Sequence, residues 1–276
     1  MRLRLGERAY DLATRALVMG ICNRTPDSFY DQGATFALDA LYARVEHLVA
    51  DGADIIDIGG VKAGPGPAVG PEEELDRVVP VIEAVTARFD VPVSVDTWRA
   101  SVAAAAYAAG AVLGNDISGF ADPGYLPAAA AAGASVVATH IRLAPRVPDP
   151  DPHYDDVVAT VRDFLAERAA RALAAGIGPD RIVVDAGLDL GKTAEQSLEL
   201  LRACAALTSL GFPLLLSASN KTFIGRTLGL DIHEREEATL ATTAIGVALG
   251  CRVVRVHDVA RTRQVLDGLR AVLEAA

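Results

Sequence analysis

The stretch LVMGICNRTPDSFYDQG, residues 17–33, decides the fold. Its first six residues form an apolar run, the composition of a strand buried on both faces. The run passes directly into a loop that carries Asn23, Arg24, Thr25, Asp27 and Ser28. Pro26 and Gly33 punctuate that loop, and Phe29 and Tyr30 add two aromatics. Folding alone does not ask for so many donors and acceptors at a strand's exit. Such a loop reads as a binding segment.

The same unit recurs along the chain. Further runs stand at 54–58 (DIIDI), 92–95 (PVSV), 111–115 (AVLGN), 135–140 (SVVATH), 181–185 (RIVVD), 213–217 (PLLLS) and 252–257 (RVVRVH), eight in all. Segments with helical spacing separate them. The clearest is 154–175, where Val157, Val158, Val161, Phe164, Leu165 and Ala169 share a face. Strand–helix alternation with apolar strands predicts a parallel sheet covered on both sides. Eight units in 276 residues predict one (β/α)8 TIM barrel spanning 1–276 as a single domain. An open doubly wound sheet would want G-x-G-x-x-G after an early strand, and none follows the first or second. The opening MRLRLGERAYDL alternates polar and apolar residues and predicts an N-terminal β-hairpin. The Pro-rich patch 145–152 follows the fifth run and reads as a βα loop.

A net charge of −10 argues against nucleic-acid or anionic-membrane partners, which are bound by basic surfaces. Cys22, Cys204 and Cys251 are far apart in sequence and lack metal-ligand spacing, so they read as buried free thiols suited to a reducing cytoplasm. The first residues lack a signal peptide's apolar core, and no apolar run reaches membrane-spanning length. The triplets Asn23-Arg24-Thr25 and Asn220-Lys221-Thr222 are then not glycan acceptors, and another use is expected for both.

Most of the strands end in a polar or ionisable residue: Asn23, Asp57, Asp96, Asn115 with Asp116, His140, Asp185, Ser217 with Ser219, and Arg255 with His257. In a barrel these ends meet on one rim, where enzymes of this architecture place their sites. Singly, each has a structural explanation: Asp96 can cap a helix starting near Trp98, and His140 can be a satisfied core histidine. Together they describe a site. Asp96, Asn115 and Asp185 offer carboxylate and amide edges for a flat heterocycle, and Lys221 can donate to it. Arg255 and His257 can hold an anion near the last strand. Elsewhere, residues 234–237 read as a solvated helix start, Trp98 as helix packing, and His47, His153 and His233 as surface residues.

These residues sit in motifs that resemble dihydropteroate synthase over almost the whole chain. The motifs are MGICNRTPDSF (19–29), GADIIDIGG (52–60), VSVDTWRA (93–100), NDISG (115–119), DAGLDLGKT (185–193), SASNKTFIG (217–225) and RVHDV (255–259). GKT at 191–193 is not a P-loop, because Ala186 stands where that motif needs glycine. The resemblance implies a cytoplasmic, homodimeric, pterin-binding barrel. Such an enzyme joins 6-hydroxymethyl-7,8-dihydropterin diphosphate to p-aminobenzoate and releases pyrophosphate with Mg2+. By motif position, Asp96, Asn115, Asp185 and Lys221 would hold the pterin. Asn23, Arg255 and His257 would face the diphosphate, Asn23 also standing near Mg2+, and Asp96, Lys221 and Arg255 would carry the catalysis.

The departures from the family cluster. Arg24 replaces a small apolar residue, and GGVKAGPG (59–66) replaces GGESTRPG, so Val61, Lys62, Ala63 and Gly64 stand for acid, serine, threonine and arginine. Asn220 replaces an arginine, Thr222 keeps a hydroxyl, and Leu190 replaces phenylalanine. The lost groups belong largely to the family's aminobenzoate side. This pattern resembles the second, divergent copy found in some actinobacteria. It implies pterin binding with weak or absent p-aminobenzoate coupling; the alternative is a fully active synthase. Arg24 and Lys62 are expected to serve a different acidic acceptor or to pair with Asp27 and Asp57.

Overall fold

The computed structural model describes residues 1–24 and 38–275. The expectations placed on Thr25, Pro26, Asp27, Ser28, Phe29, Tyr30 and Gly33 lie outside the described residues.

An antiparallel hairpin, β1 (Arg2–Leu5) and β2 (Arg8–Asp11), precedes eight parallel strands. In chain order these are β3 (Leu17–Asn23), β4 (Ile55–Gly59), β5 (Val93–Asp96), β6 (Leu113–Asp116), β7 (Ser135–Thr139), β8 (Ile182–Asp185), β9 (Leu214–Leu216) and β10 (Cys251–Val256). Each pairs with its sequence neighbour, and β10 returns to β3, closing the barrel. The helices between them are α1 (Leu38–Ala50), α2 (Pro71–Arg88), α3 (Ala100–Ala108), α4 (Tyr125–Ala132), α5 (Val157–Ala174), α6 (Ala194–Arg202), α7 (Cys204–Thr208), α8 (Thr222–Leu228) and α9 (Glu236–Ala248), with α10 (Val259–Glu274) after β10. The strand runs read from the sequence and the hairpin are all present.

Two apolar cores follow from the period-2 alternation of strand side chains. One fills the space between barrel and helices; Val157, Val161, Leu165 and Ala169 of α5 are buried in it. The other fills the barrel interior with Leu17, Met19, Ile55, Leu113, Val137, Val183, Leu215 and Val253. Leu3, Leu5 and Leu12 of the hairpin join this inner core and plug the barrel at the strands' N-terminal end.

Two residues further along each of these strands the inward position turns polar: Asp57, Asn115, Thr139, Asp185, Ser217 and Arg255, with Ile21 the apolar exception. On β5, Val93 and Val95 face the helices, which sends Ser94 and Asp96 inward. The inner face is therefore apolar below and polar above. That change of register builds the site.

Helix α3 begins at Ala100, whose amide donates to Asp122 Oδ2 at 2.8 Å. Asp122, not Asp96, fills the capping role, which leaves Asp96 to other work. At 234–237 the expectation of an exposed helix start is refined: Glu234 closes a capping box with Asp231, and Glu236 and Glu237 pair with Arg261 of α10. His47, His153 and His233 are exposed. The 145–152 patch lies in the loop between β7 and α5. Among the described residues no helix is long and apolar enough to cross a membrane.

Candidate functional site

A cavity of about 420 Å3 opens at the C-terminal end of the strands. Asn23, Asp96, Lys221, Arg255 and His257 line it, as do Lys62, Ala63, Gly64, Leu190 and Thr222. Most of the residues matched to the pterin and diphosphate thus share one space with most of those that depart from the family. Asn115 and Asp185, 3% and 6% exposed, lie at the strand ends beneath. Asp189, Ser217 and Ser219 complete the polar wall.

Arg255 organises the floor. Its Nε donates to Asp57 Oδ2 at 2.5 Å and its Nη2 to Asp96 Oδ2 at 2.7 Å. Asn115 Nδ2 donates to the same Asp57 oxygen at 3.2 Å. Fully buried Asp57 is answered there by a guanidinium. Burial pushes the Asp96 carboxyl up to about 7, against the pull of Arg255 and with help from the Asp57 charge. Arg255 is raised above its ordinary value by the two carboxylates, although burial works the other way. Gly59 makes this arrangement possible: a Cβ there would sit 3.0 Å from Asn23 Oδ1 and 3.4 Å from Asp96 Cβ.

On the opposite side the charges of Asp185 and Lys221 act on each other. Burial raises the carboxyl, and the two lysines Lys221 and Lys192 pull it back. Burial likewise lowers Lys221, with Asp185 resisting, and its Nζ donates to Leu188 O at 2.5 Å. Burial and the nearby Arg255 and Arg44 lower His257 to about 3, so its imidazole is neutral. Ser219 Oγ accepts from the His257 amide at 3.3 Å and lies 2.9 Å from Nδ1. When the hydroxyl donates to Nδ1, the ring proton sits on Nε2. His257 can offer an anion a neutral N–H rather than a positive charge.

Sequence reasoning missed the residue that holds the rim together. Lys192, in the rejected GKT triplet, is 6% exposed. Its Nζ donates to Gly187 O at 2.8 Å and Leu190 O at 3.1 Å, and lies 2.9 Å from His140 Nδ1. Burial lowers the lysine to about 7 and His140, beside it, to about 3. His140 also meets the Phe164 ring edge-on at 4.8 Å. It is a core histidine, fastened from above by lysine. A buried lysine aimed at backbone carbonyls leaves no periodic signal in the sequence.

Two residues sit apart from the cavity wall. Arg24 donates to the α2 carbonyls of Asp76 and Arg77 at 3.0 and 3.1 Å. Asn220, in a left-handed conformation at φ 56, accepts from Thr239 Oγ1 at its amide oxygen and faces α9. Asp57 spends its hydrogen bonds on Arg255 and Asn115, and Asp27 lies outside the described residues. A second cleft, of about 400 Å3, lies at the strands' N-terminal end, where Arg15 and Arg263 both pair with Asp54. Its charges answer one another. Among the described residues no cluster of three or more His, Cys, Asp or Glu suits a metal ion.

Comparison with known proteins finds relatives along nearly the whole chain. Residues 19–257 match the family described as pterin binding enzyme. A Mycobacterium tuberculosis protein named inactive dihydropteroate synthase 2 is 47% identical, covering 94% of this chain and 83% of that one. The dihydropteroate synthase of Bacillus subtilis is 41% identical, over 92% of this chain and 89% of its own. Yersinia pestis dihydropteroate synthase, solved with a sulfonamide drug, superposes with a TM-score of 0.95 at 37% identity over 100% of both chains. With the same barrel, a family match over residues 19–257 and relatives 41–47% identical along nearly its whole length, this chain belongs to the pterin-binding dihydropteroate synthase family.

Proposed function

We propose that this protein binds 6-hydroxymethyl-7,8-dihydropterin diphosphate in the rim cavity and couples it to p-aminobenzoate weakly or not at all. One observation carries the reading. Asp96 and Lys221 of the pterin set, Asn23, Arg255 and His257 of the diphosphate set, and the altered Lys62, Ala63, Gly64, Leu190 and Thr222 line a single cavity of about 420 Å3. Decay of an unused gene would strike both sets; here one set is kept. The similarity to a protein named inactive supports the same conclusion.

Asp96, Asn115, Asp185 and Lys221 hold the pterin through donors and acceptors fixed at the ends of four strands. Ionised Asp96 favours positive charge on the pterin methylene, and Arg255 with His257 stabilises charge on the departing oxygens. Mg2+ demands oxygen donors, keeps several waters and binds through few protein groups plus phosphate. Asn23 Oδ1, facing the cavity beside Asp96, fits such a minimal role. When bound, the ion would neutralise diphosphate charge.

We assign the protein to the cytoplasm, where this substrate class and three free buried thiols belong. A homodimer is supported by Ile245 and Leu249, apolar, one turn apart on α9 and its end, and 53% and 37% exposed.

The test measures pyrophosphate release from the pterin diphosphate with and without p-aminobenzoate. The reading expects p-aminobenzoate to add little, and release at ordinary synthase rates on adding it contradicts the impaired coupling.

A further inference from the structure

Asp189 stands in the loop between β8 and α6 with φ 67, the left-handed region that side-chain-bearing residues rarely adopt. What it gains there is visible. Its Oδ2 accepts from the Thr222 amide at 2.6 Å, and its Oδ1 from the Phe223 amide at 3.1 Å. Ser197 Oγ accepts from the Asp189 amide at 3.2 Å and braces the loop from below. Asp189 lines the rim cavity together with its neighbour Leu190 and with Lys221 and Thr222. Leu190 and Thr222 are two of the positions at which the acceptor side departs from the family.

The consequence concerns charge. An acceptor that brings a carboxylate to this wall meets a fixed carboxylate of like sign, and the two backbone amides behind it are already taken. Lys62, Lys221 and Arg255 keep the cavity as a whole suited to a diphosphate. The repulsion is local to the Leu190–Thr222 side, where Asp189 is held rigidly by three hydrogen bonds to Thr222, Phe223 and Ser197.

Resting on the reading of the cavity given above, we propose that Asp189 determines acceptor specificity. Its carboxylate excludes anionic arylamines, p-aminobenzoate among them, and leaves the acceptor side open to an uncharged amine of similar shape.

The experiment is a calorimetric comparison of two probes, p-aminobenzoate and its neutral analogue 4-aminobenzamide. Both are titrated into full-length protein preloaded with 6-hydroxymethylpterin and Mg2+–pyrophosphate. Wild type is expected to bind the amide at least tenfold more tightly than the acid. Asp189→Asn keeps an acceptor for the amides and tolerates the backbone, and Asp189→Gly suits the positive φ without any carboxylate. Thermal melts establish that each variant is folded. Both variants are expected to bring the ratio to about one or below by strengthening the acid. Should wild type bind neither probe, gain of p-aminobenzoate binding in a variant supports the proposal, and no gain overturns it. A wild-type ratio at or below one, or a ratio that both folded variants leave unchanged, also overturns it while the pterin reading stands. Failure of 6-hydroxymethylpterin to bind wild type overturns the pterin reading and this proposal with it.

Discussion

Arg255 Nη2 lies 2.7 Å from Asp96 Oδ2, joining β10 to β5 across the mouth of the barrel. The same guanidinium binds Asp57, so one cation holds two carboxylates at the floor of the cavity. Removing one member of a buried charge network leaves the others uncompensated. Arg255→Met should therefore lower stability by about 3–5 kcal/mol in urea denaturation and abolish pterin binding. A variant as stable as wild type would show that the network does not hold the floor.

Asp96 should make pterin binding depend on pH. With its carboxyl pushed up to about 7, it carries a proton below that pH and must lose it to accept from a pterin N–H. Affinity is expected to fall about tenfold per pH unit below 7. It should level off above 7, and calorimetry in buffers of different ionisation enthalpy should register the released proton. Asp96→Asn should flatten the profile and weaken binding at every pH.

His140 predicts a stability slope. Its folded value, about 3, lies below the 6.5 of an unfolded histidine, so between these values the unfolded chain holds a proton that the folded chain does not. The stability concerned is fully present above pH 6.5 and is lost as pH falls toward 3. His140→Gln should reduce the slope of unfolding free energy between pH 6 and 4 by about 1.4 kcal/mol per pH unit. His257, lowered to the same degree, keeps its own share in that variant.

Gly187 has no room for a side chain. A Cβ there would lie 1.9 Å from His140 O, and its φ is 64. Gly187→Ala should push the β8–α6 loop off the end of β7 and cost on the order of 3 kcal/mol. Thermal melting measures this. Retention of the wild-type melting temperature would show that the loop does not depend on this close approach.

The barrel was legible because its strands are apolar on both faces and its helices amphipathic, patterns set by local burial. The rim was legible for a related reason: a period-2 strand whose inward position changes from Val183 to Asp185, or from Val253 to Arg255, announces a polar end to the barrel. Partnerships across the barrel were not legible. Nothing local tells that Arg255 turns to Asp57 and Asp96, or that Asn220 turns away to Thr239. Asp189 escaped notice because its role depends on a backbone conformation, and Lys192 because its partners are carbonyls. Cys204 and Cys251, 47 residues apart and apparently unrelated in sequence, meet at 3.6 Å between their sulfurs.

One calorimetric experiment decides whether this protein keeps the pterin and refuses the arylamine: titration of pterin diphosphate with Mg2+, followed in the same cell by p-aminobenzoate. Saturable binding of the first ligand and little or no heat from the second are expected. Absence of pterin binding, or a large second heat accompanied by dihydropteroate turnover at ordinary synthase rates, would contradict this expectation.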